Sequence, residues 1–259
     1  MERRTSRHFH ALSLLALLLL FNGIAAGADN PVLAPPLWSV GDWWVVDCQV
    51  YNEGRISPSK PGWTARQSWR FRVENIDSLA GRPHFIVFIQ PEQGNSCPYR
   101  FRVWFDASSR YVSRYELHHP EPTATKPRRG GPSVVEHDFS DAEPAPLLTG
   151  IFPALPLTVP LFDVRQESVS FPAGNTEFDI HQSMEAVDAA TALENADPNI
   201  TGRIDASASN SNRLVRLTTP SDLVELQYWN ANLPWCNYGE RIIRGQVMRR
   251  YWLVETGKN

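Results

Sequence analysis

The stretch Trp69-Arg70-Phe71-Arg72-Val73-Glu74 alternates apolar and charged side chains without a break. An extended chain puts successive side chains on opposite faces, so this stretch has one dry and one wet face as a strand and no apolar side as a helix. The pattern predicts a half-buried strand of an antiparallel sheet. The same period of two recurs nearby. In Trp43 to Tyr51 it sets Trp44, Val46, Cys48 and Val50 on one face, and in Tyr99 to Asp106 it sets Tyr99, Phe101, Val103 and Phe105 on one face. Phe85 to Ile89 is apolar on both faces and reads as a doubly covered central strand, and Tyr111 to Leu117 continues the series. Short turns at Ser78–Gly81, Pro91–Pro98 and Ala107–Arg110 join these five strands into an antiparallel meander.

Proline then limits the alternatives. The chain has 21 Pro, which argue against long helices because each removes a backbone donor and clashes with the preceding turn. Residues 118–132 read as a polar, Pro-rich and basic loop, followed by a short strand at Ser133 to Phe139. Glu143 to Leu161 is strongly apolar yet carries Pro144, Pro146, Pro153, Pro156 and Pro160. It can be neither a helix nor a central strand, so it is expected to lie as an extended arm across the sheet. Further β segments are expected at Glu177–Met184, Leu214–Thr218, Leu223–Trp229 and Gln246–Glu255. A short helix or a loop lies at Asp188–Asn195, and a turn at Asn230–Glu240. The fold class expected is all-β: a strongly curved antiparallel sheet or incomplete barrel with a Pro-rich covering arm.

The N-terminus reads as an export signal. Arg3, Arg4 and Arg7 precede a Leu-rich apolar run from Ala11 to Phe21, and Ala26-Gly27-Ala28 offers the small side chains that signal peptidase requires. The run is shorter than the roughly 20 apolar residues of a comfortable membrane span. Residues 1–28 are therefore expected to be a signal peptide and 29–259 a single β-rich domain, periplasmic or secreted. Without residues 1–28, which hold Glu2, Arg3, Arg4 and Arg7, the formal charge is −5 rather than −3. A mildly acidic domain without a basic block is a poor nucleic-acid binder. In an oxidising compartment two of Cys48, Cys97 and Cys236 could form a disulfide and leave one over, with no pairing favoured.

Motifs for chemistry are sparse. His118-His119 with Glu116 and Glu121 has ligand types that suit zinc, but neighbouring strand residues face opposite ways, so a solvated loop end is the simpler reading. Asp197, Asn199, Thr201, Gly202 and Asp205 match part of a calcium-loop spacing, yet Ala208 stands where the bidentate acid belongs. There is no Gly-x-Ser-x-Gly elbow. Cys97 or Cys236 as a nucleophile would need His84, His137 or His181 beside it in space. Asp138 and Asp141 read as ordinary loop acids. No catalytic residue, metal ligand or cofactor is expected.

Trp38-Ser39-Val40-Gly41-Asp42-Trp43-Trp44 and Leu233-Pro234-Trp235-Cys236-Asn237-Tyr238-Gly239-Glu240 resemble a group of uncharacterised exported bacterial β-rich proteins with W-x-V-G-D-x-W and L-P-W motifs. The exported, aromatic, meandering layout is also similar to the lipoprotein-carrier (LolA/LolB-like) half-barrels. That resemblance implies an apolar cavity and transfers no binding residue. The expected function is a non-enzymatic binding or carrier protein for an apolar small molecule or an envelope protein, with Trp44, Trp69, Phe71, Phe101 and Phe152 lining the site. The alternatives are a hydrolase whose site assembles only in three dimensions, and an envelope assembly protein that adds an edge strand to its partner.

Overall fold

The computed structural model describes residues 33–52, 62–93, 97–120, 134–138, 154–162, 166–173, 176–204 and 211–259, with the backbone alone at 137, 169–173 and 176–178. Among these residues the first half of the chain supplies β1 (Asp42–Asn52), β2 (Gly62–Trp63), β3 (Gln67–Leu79), β4 (Arg82–Pro91), β5 (Arg100–Asp106), β6 (Val112–His118) and β7 (Val134–Asp138). The second half supplies β8 (Gln166–Ala173), β9 (Thr176–Ala186), β10 (Asn212–Thr218), β11 (Leu223–Asn230), β12 (Tyr238–Ile243) and β13 (Gln246–Lys258). Two short helices, α1 (Ala189–Glu194) and α2 (Pro198–Thr201), lie between β9 and β10.

All the strands join one antiparallel sheet in the order β7-β6-β5-β4-β3-β1-β13-β12-β11-β10-β9-β8, with β2 paired to β1. Each half is a meander, and the two are joined where β1 pairs with β13, the first strand with the last. The ends of the order, β7 and β8, do not pair, so the sheet is not closed into a barrel.

The sheet is nevertheless strongly curved. Five strand steps separate β5 from β12, about 24 Å in a flat sheet at the usual spacing. Yet the rings of Phe105 in β5 and Trp235, in the turn just before β12, lie 6.2 Å apart. Curling brings the apolar sides of both halves into one core that holds Trp44, Trp69, Phe71, Val87, Phe101, Val215, Trp229, Trp235 and Leu253. The expected alternation is realised: Trp69, Phe71 and Val73 are buried, while Arg70, Arg72 and Glu74 face outward. Three strands were not expected. Gly62–Trp63, in the stretch 52–63 that reads as a loop, forms β2 against β1. The Asn230–Glu240 turn passes into β12 at Tyr238, and β8 pairs with β9 at the sheet's edge. β12, Tyr238-Gly239-Glu240-Arg241-Ile242-Ile243, has no regular alternation, and β2 is only two residues long. β8 does alternate, with Val169 and Phe171 between Ser168, Ser170 and Pro172, and the sequence reading passed over it.

The Pro-rich arm is present. Of 143–161, residues 154–161 are described, and with Phe162 they run inside the curl. Ala154, Leu155, Leu157 and Val159 are at most 2% exposed.

Candidate functional site

Glu225 is the centre of the inner face of the second half. It is fully buried, and sheet register sets it between Leu217 of β10 and Arg241 of β12. A buried carboxylate is tolerable only when it is paired and hydrogen-bonded. Arg241 donates to Oε2 from Nε and Nη2 at 2.8 and 2.6 Å. Oε1 accepts from Gln227 Nε2 at 2.9 Å, from the Tyr251 hydroxyl at 3.2 Å and from the Leu157 backbone N–H at 2.6 Å. The last of these ties the sheet to the arm.

Two more side chains grip the arm's backbone. Gln227 Nε2 also donates to the Thr158 carbonyl at 2.9 Å. Gln182 of β9 accepts from the Leu161 N–H at 2.7 Å and donates to the Leu161 carbonyl at 2.9 Å. That carboxamide satisfies both polar groups of one residue, as a neighbouring strand would. Pro156 and Pro160 have no N–H to pair, so the arm cannot join a regular ladder and needs such partners. Gln227 in turn accepts from Trp229 Nε1 at 2.9 Å, which fixes the orientation of its amide.

Gly239 makes this geometry possible. A Cβ there would fall 2.2–2.4 Å from the Tyr251 ring, so the bare glycine lets Tyr251 lie across β12 toward Glu225. Burial, and then the Glu225 charge, push the Tyr251 hydroxyl well above its ordinary range. Both effects act in the same order on the Cys236 thiol. Burial pushes Cys48 up to about 12, although the Arg249 charge pulls the other way. These groups stay protonated at neutral pH.

The expected ligand-lining residues lie on the inner face of the other half. Trp44, Trp69 and Phe71 are fully buried and Phe101 is 4% exposed; Phe152 lies outside the described residues. Trp44 stacks on Phe71 at 5.4 Å and on Trp235 at 5.8 Å, and Trp69 meets Phe101 at 6.3 Å. They pack against one another as core. Among the described residues no hydrogen-bond acceptor reaches the buried indole N–H of Trp44 or Trp235.

The two sequence motifs, some 190 residues apart, meet. Trp38 Nε1 donates to the Pro234 carbonyl at 2.8 Å, and Trp38 stacks on Trp44 and Trp235 at 5.2 and 6.2 Å. A cleft of about 570 Å³ opens beside this junction, lined in part by Leu37, Asp42, Trp43, Leu233 and Pro234.

The possible disulfide is not formed: none of Cys48, Cys97 and Cys236 is joined to another by an S–S bond. Cys48 and Cys236 are packed as small apolar side chains in the core. His84 is buried, with Nε2 2.8 Å from Ser113 Oγ and Nδ1 2.8 Å from the Arg82 carbonyl. His181 meets Ser168 Oγ at 2.9 Å. Neither of these contacts is with a carboxylate or a cysteine, and the His137 side chain lies outside the described residues. Asp197 does not shape a calcium loop; it caps α2 by accepting from the Asn199 N–H at 3.0 Å. Among the described residues no cluster of three or more His, Cys, Asp or Glu could hold a metal ion.

The sequence reading missed Gln182, Glu225 and Gln227. One signal was available: Leu223 to Trp229 places Glu225 and Gln227 on the same face as Trp229, which marks a strand whose inner face carries polar residues.

Fold and site together define an open, curled antiparallel sheet whose interior is occupied by an extended segment of the same chain. No protein-family model matches the sequence, and no curated protein matches it. Among solved structures, a β-barrel-like protein of a domain of unknown function (DUF1849) from Brucella abortus matches at 8% identity and a TM-score of 0.38, over 88% of this chain and 99% of that one. A candidate lipoprotein from Parabacteroides distasonis matches at 8% identity and 0.31, over 87% of this chain and 99% of that one. A candidate exported protein with a YmcC-like fold from Bacteroides fragilis matches at 9% and 0.31, over 88% of this chain and all of the other.

Proposed function

We propose that this chain is an exported, non-enzymatic binding protein that takes an extended apolar ligand into its curled sheet, and that residues 154–162 occupy that place when the ligand is absent. One observation carries the reading: the segment in the interior is held by the side chains of Gln182, Glu225 and Gln227, in the manner of a bound peptide. A ligand that buries comparable apolar surface can take its place only if it also offers polar atoms to Gln182, Glu225 and Gln227, because each of these buried groups left without a partner costs about 1–3 kcal/mol. The unpartnered indole N–H groups of Trp44 and Trp235 add two buried donors that a polar atom of the ligand would satisfy. Export rests on the basic, apolar and small-residue order of residues 1–28. Among the described residues no helix is long and apolar enough to cross a membrane.

The test is uptake of the apolar fluorophore N-phenyl-1-naphthylamine by the chain lacking residues 1–28, and by its Q182A/Q227A variant. The variant is expected to take up the probe about tenfold faster, which corresponds to about 1.4 kcal/mol off the opening step, at unchanged stoichiometry. If a variant that still unfolds cooperatively takes up no more probe than a non-binding control protein, the interior is a fixed core and the proposal fails.

A further inference from the structure

The His118-His119 pair, which the interior site does not use, lies on the outer face of the first half beside a second cleft. That cleft encloses about 430 Å³ and is lined by Phe88, Pro98, Arg100, Arg102, His118, His119 and Pro120. Register explains the grouping. Arg100 of β5 stands directly opposite His118 of β6, and Arg102 stands between Phe88 of β4 and Glu116 of β6. Tyr99 meets the His119 ring edge-on at 5.4 Å and holds it at the rim.

The charges around the cleft do not balance. Arg102 is shared between Glu74 at 3.3 Å and Glu116 at 3.4 Å. Those two carboxylates also serve Arg72 at 2.8 Å and Arg114 at 3.4 Å, and Arg114 has Glu136 at 2.8 Å. His118 Nε2 lies 3.0 Å from Glu116. Among the described residues Arg100 has no carboxylate partner, and it faces an imidazole that adds a second positive charge when protonated. Like charges directly opposite each other across two strands are destabilising. A bound anion would remove that repulsion, and Phe88, Pro98 and Pro120 supply apolar walls for whatever carries it.

We propose that this cleft binds an anionic group borne on a compact apolar body, with Arg100 and His118 as the charge-bearing contacts and His119 at the rim. Binding strengthens as pH falls from about 8 to about 5.5, because a bound anion favours the protonated form of an imidazole beside it. The site is independent of the interior, so its failure would leave the binding reading above untouched.

Benzenesulfonate is the probe, since it stays anionic throughout that range, and benzenesulfonamide is its neutral control. Calorimetry at pH 5.5 and pH 8 is expected to show tighter binding at the lower pH. R100Q should weaken binding about tenfold, and H118Q/H119Q should flatten the pH dependence. Both changes lie at the surface, and unchanged thermal unfolding checks the fold. Equal affinity for the sulfonamide, or a pH dependence that survives H118Q/H119Q, would overturn the proposal. Flotation with phosphatidylglycerol vesicles, sensitive to R100Q, assigns the anion to a membrane headgroup; binding of the sulfonate without flotation assigns it to a free small molecule.

Discussion

Across the inner face of the first half, one row of the sheet reads Trp44, Phe71, Ile89 and Phe101. Across the inner face of the second half, a row reads Gln182, Leu217, Glu225, Arg241 and Arg249. Both halves are antiparallel meanders with similar strand lengths, and both face the same interior. The first fills its share with large apolar side chains that need no directional partner. The second places a buried ion pair and two carboxamides there, at a desolvation cost that an apolar core would avoid. That cost is offset only because the polar groups have something to hold. The difference shows that interior polarity in this sheet follows the arm: where the backbone of 154–162 must be satisfied, the facing strands carry hydrogen-bonding side chains.

The largest test of that contrast is Glu225→Ala. It strands Arg241 in the core and releases Tyr251, Gln227 and the Leu157 N–H together, at a cost of about 3–5 kcal/mol. Phe71→Ala in the first half should cost a similar amount, about 3–5 kcal/mol, through the cavity it leaves. Urea unfolding would register both. Hydrogen exchange should separate them: E225A exposes the amides of Leu157 and Leu161 well below the unfolding midpoint, whereas F71A does not. Equal protection of those amides in the two variants would mean that the arm is held by apolar burial alone.

The same contrast governs what the sequence disclosed. Strands β1, β3 and β5 were legible because an apolar inner face against a more polar outer face prints period two directly, as in Trp69 to Glu74, and β4 was legible as a short run apolar on both faces, Phe85 to Ile89. The arm was legible for the opposite reason, since an apolar segment with Pro156 and Pro160 has no regular structure open to it. In the second half Glu225 and Gln227 point inward beside Leu223 and Trp229, so the polar–apolar code no longer marks the face. The strand itself could be found, but not the role of its inward polar residues. Their partners are backbone atoms of a segment 68 and 69 residues away, a distance at which local pattern carries no information. The aromatic residues chosen as ligand-lining were identified by size and face; which of them pack together depended on the curl.

Gly239→Ala is a smaller and more local test. The added methyl would meet the Tyr251 ring and push its hydroxyl off Glu225, at about 1–3 kcal/mol for a crowded site that must rearrange. Tyr251→Phe removes the same hydrogen bond without crowding and should cost about 1 kcal/mol. Were both variants to cost the same in thermal unfolding, the close approach of Tyr251 to β12 would not be a constraint on the fold.

The last expected effect belongs to the first half and is a pH dependence. Asp106 closes the β5–β6 turn: its Oδ1 accepts from the backbone N–H groups of Ser108 and Ser109, both at 2.9 Å, and from the Ser108 hydroxyl at 2.6 Å. Burial alone would raise its pKa, but these hydrogen bonds outweigh burial and lower it from 3.8 to about 2. A carboxyl whose folded pKa lies below its unfolded one contributes stability that is complete above the unfolded value. That contribution is lost as pH falls through the folded value. The contribution is about 1–2 kcal/mol once screening near the surface is allowed for, and it should fade between about pH 5 and pH 2. Asp106→Asn should lower stability at pH 7 and leave it nearly equal to wild type at pH 2. Chemical denaturation across that range decides the matter. A difference between the two proteins that stays constant down to pH 2 would mean that the turn is held by shape rather than by charge, and that the first half has no acid-sensitive element at this turn to set against the buried ion pair of the second.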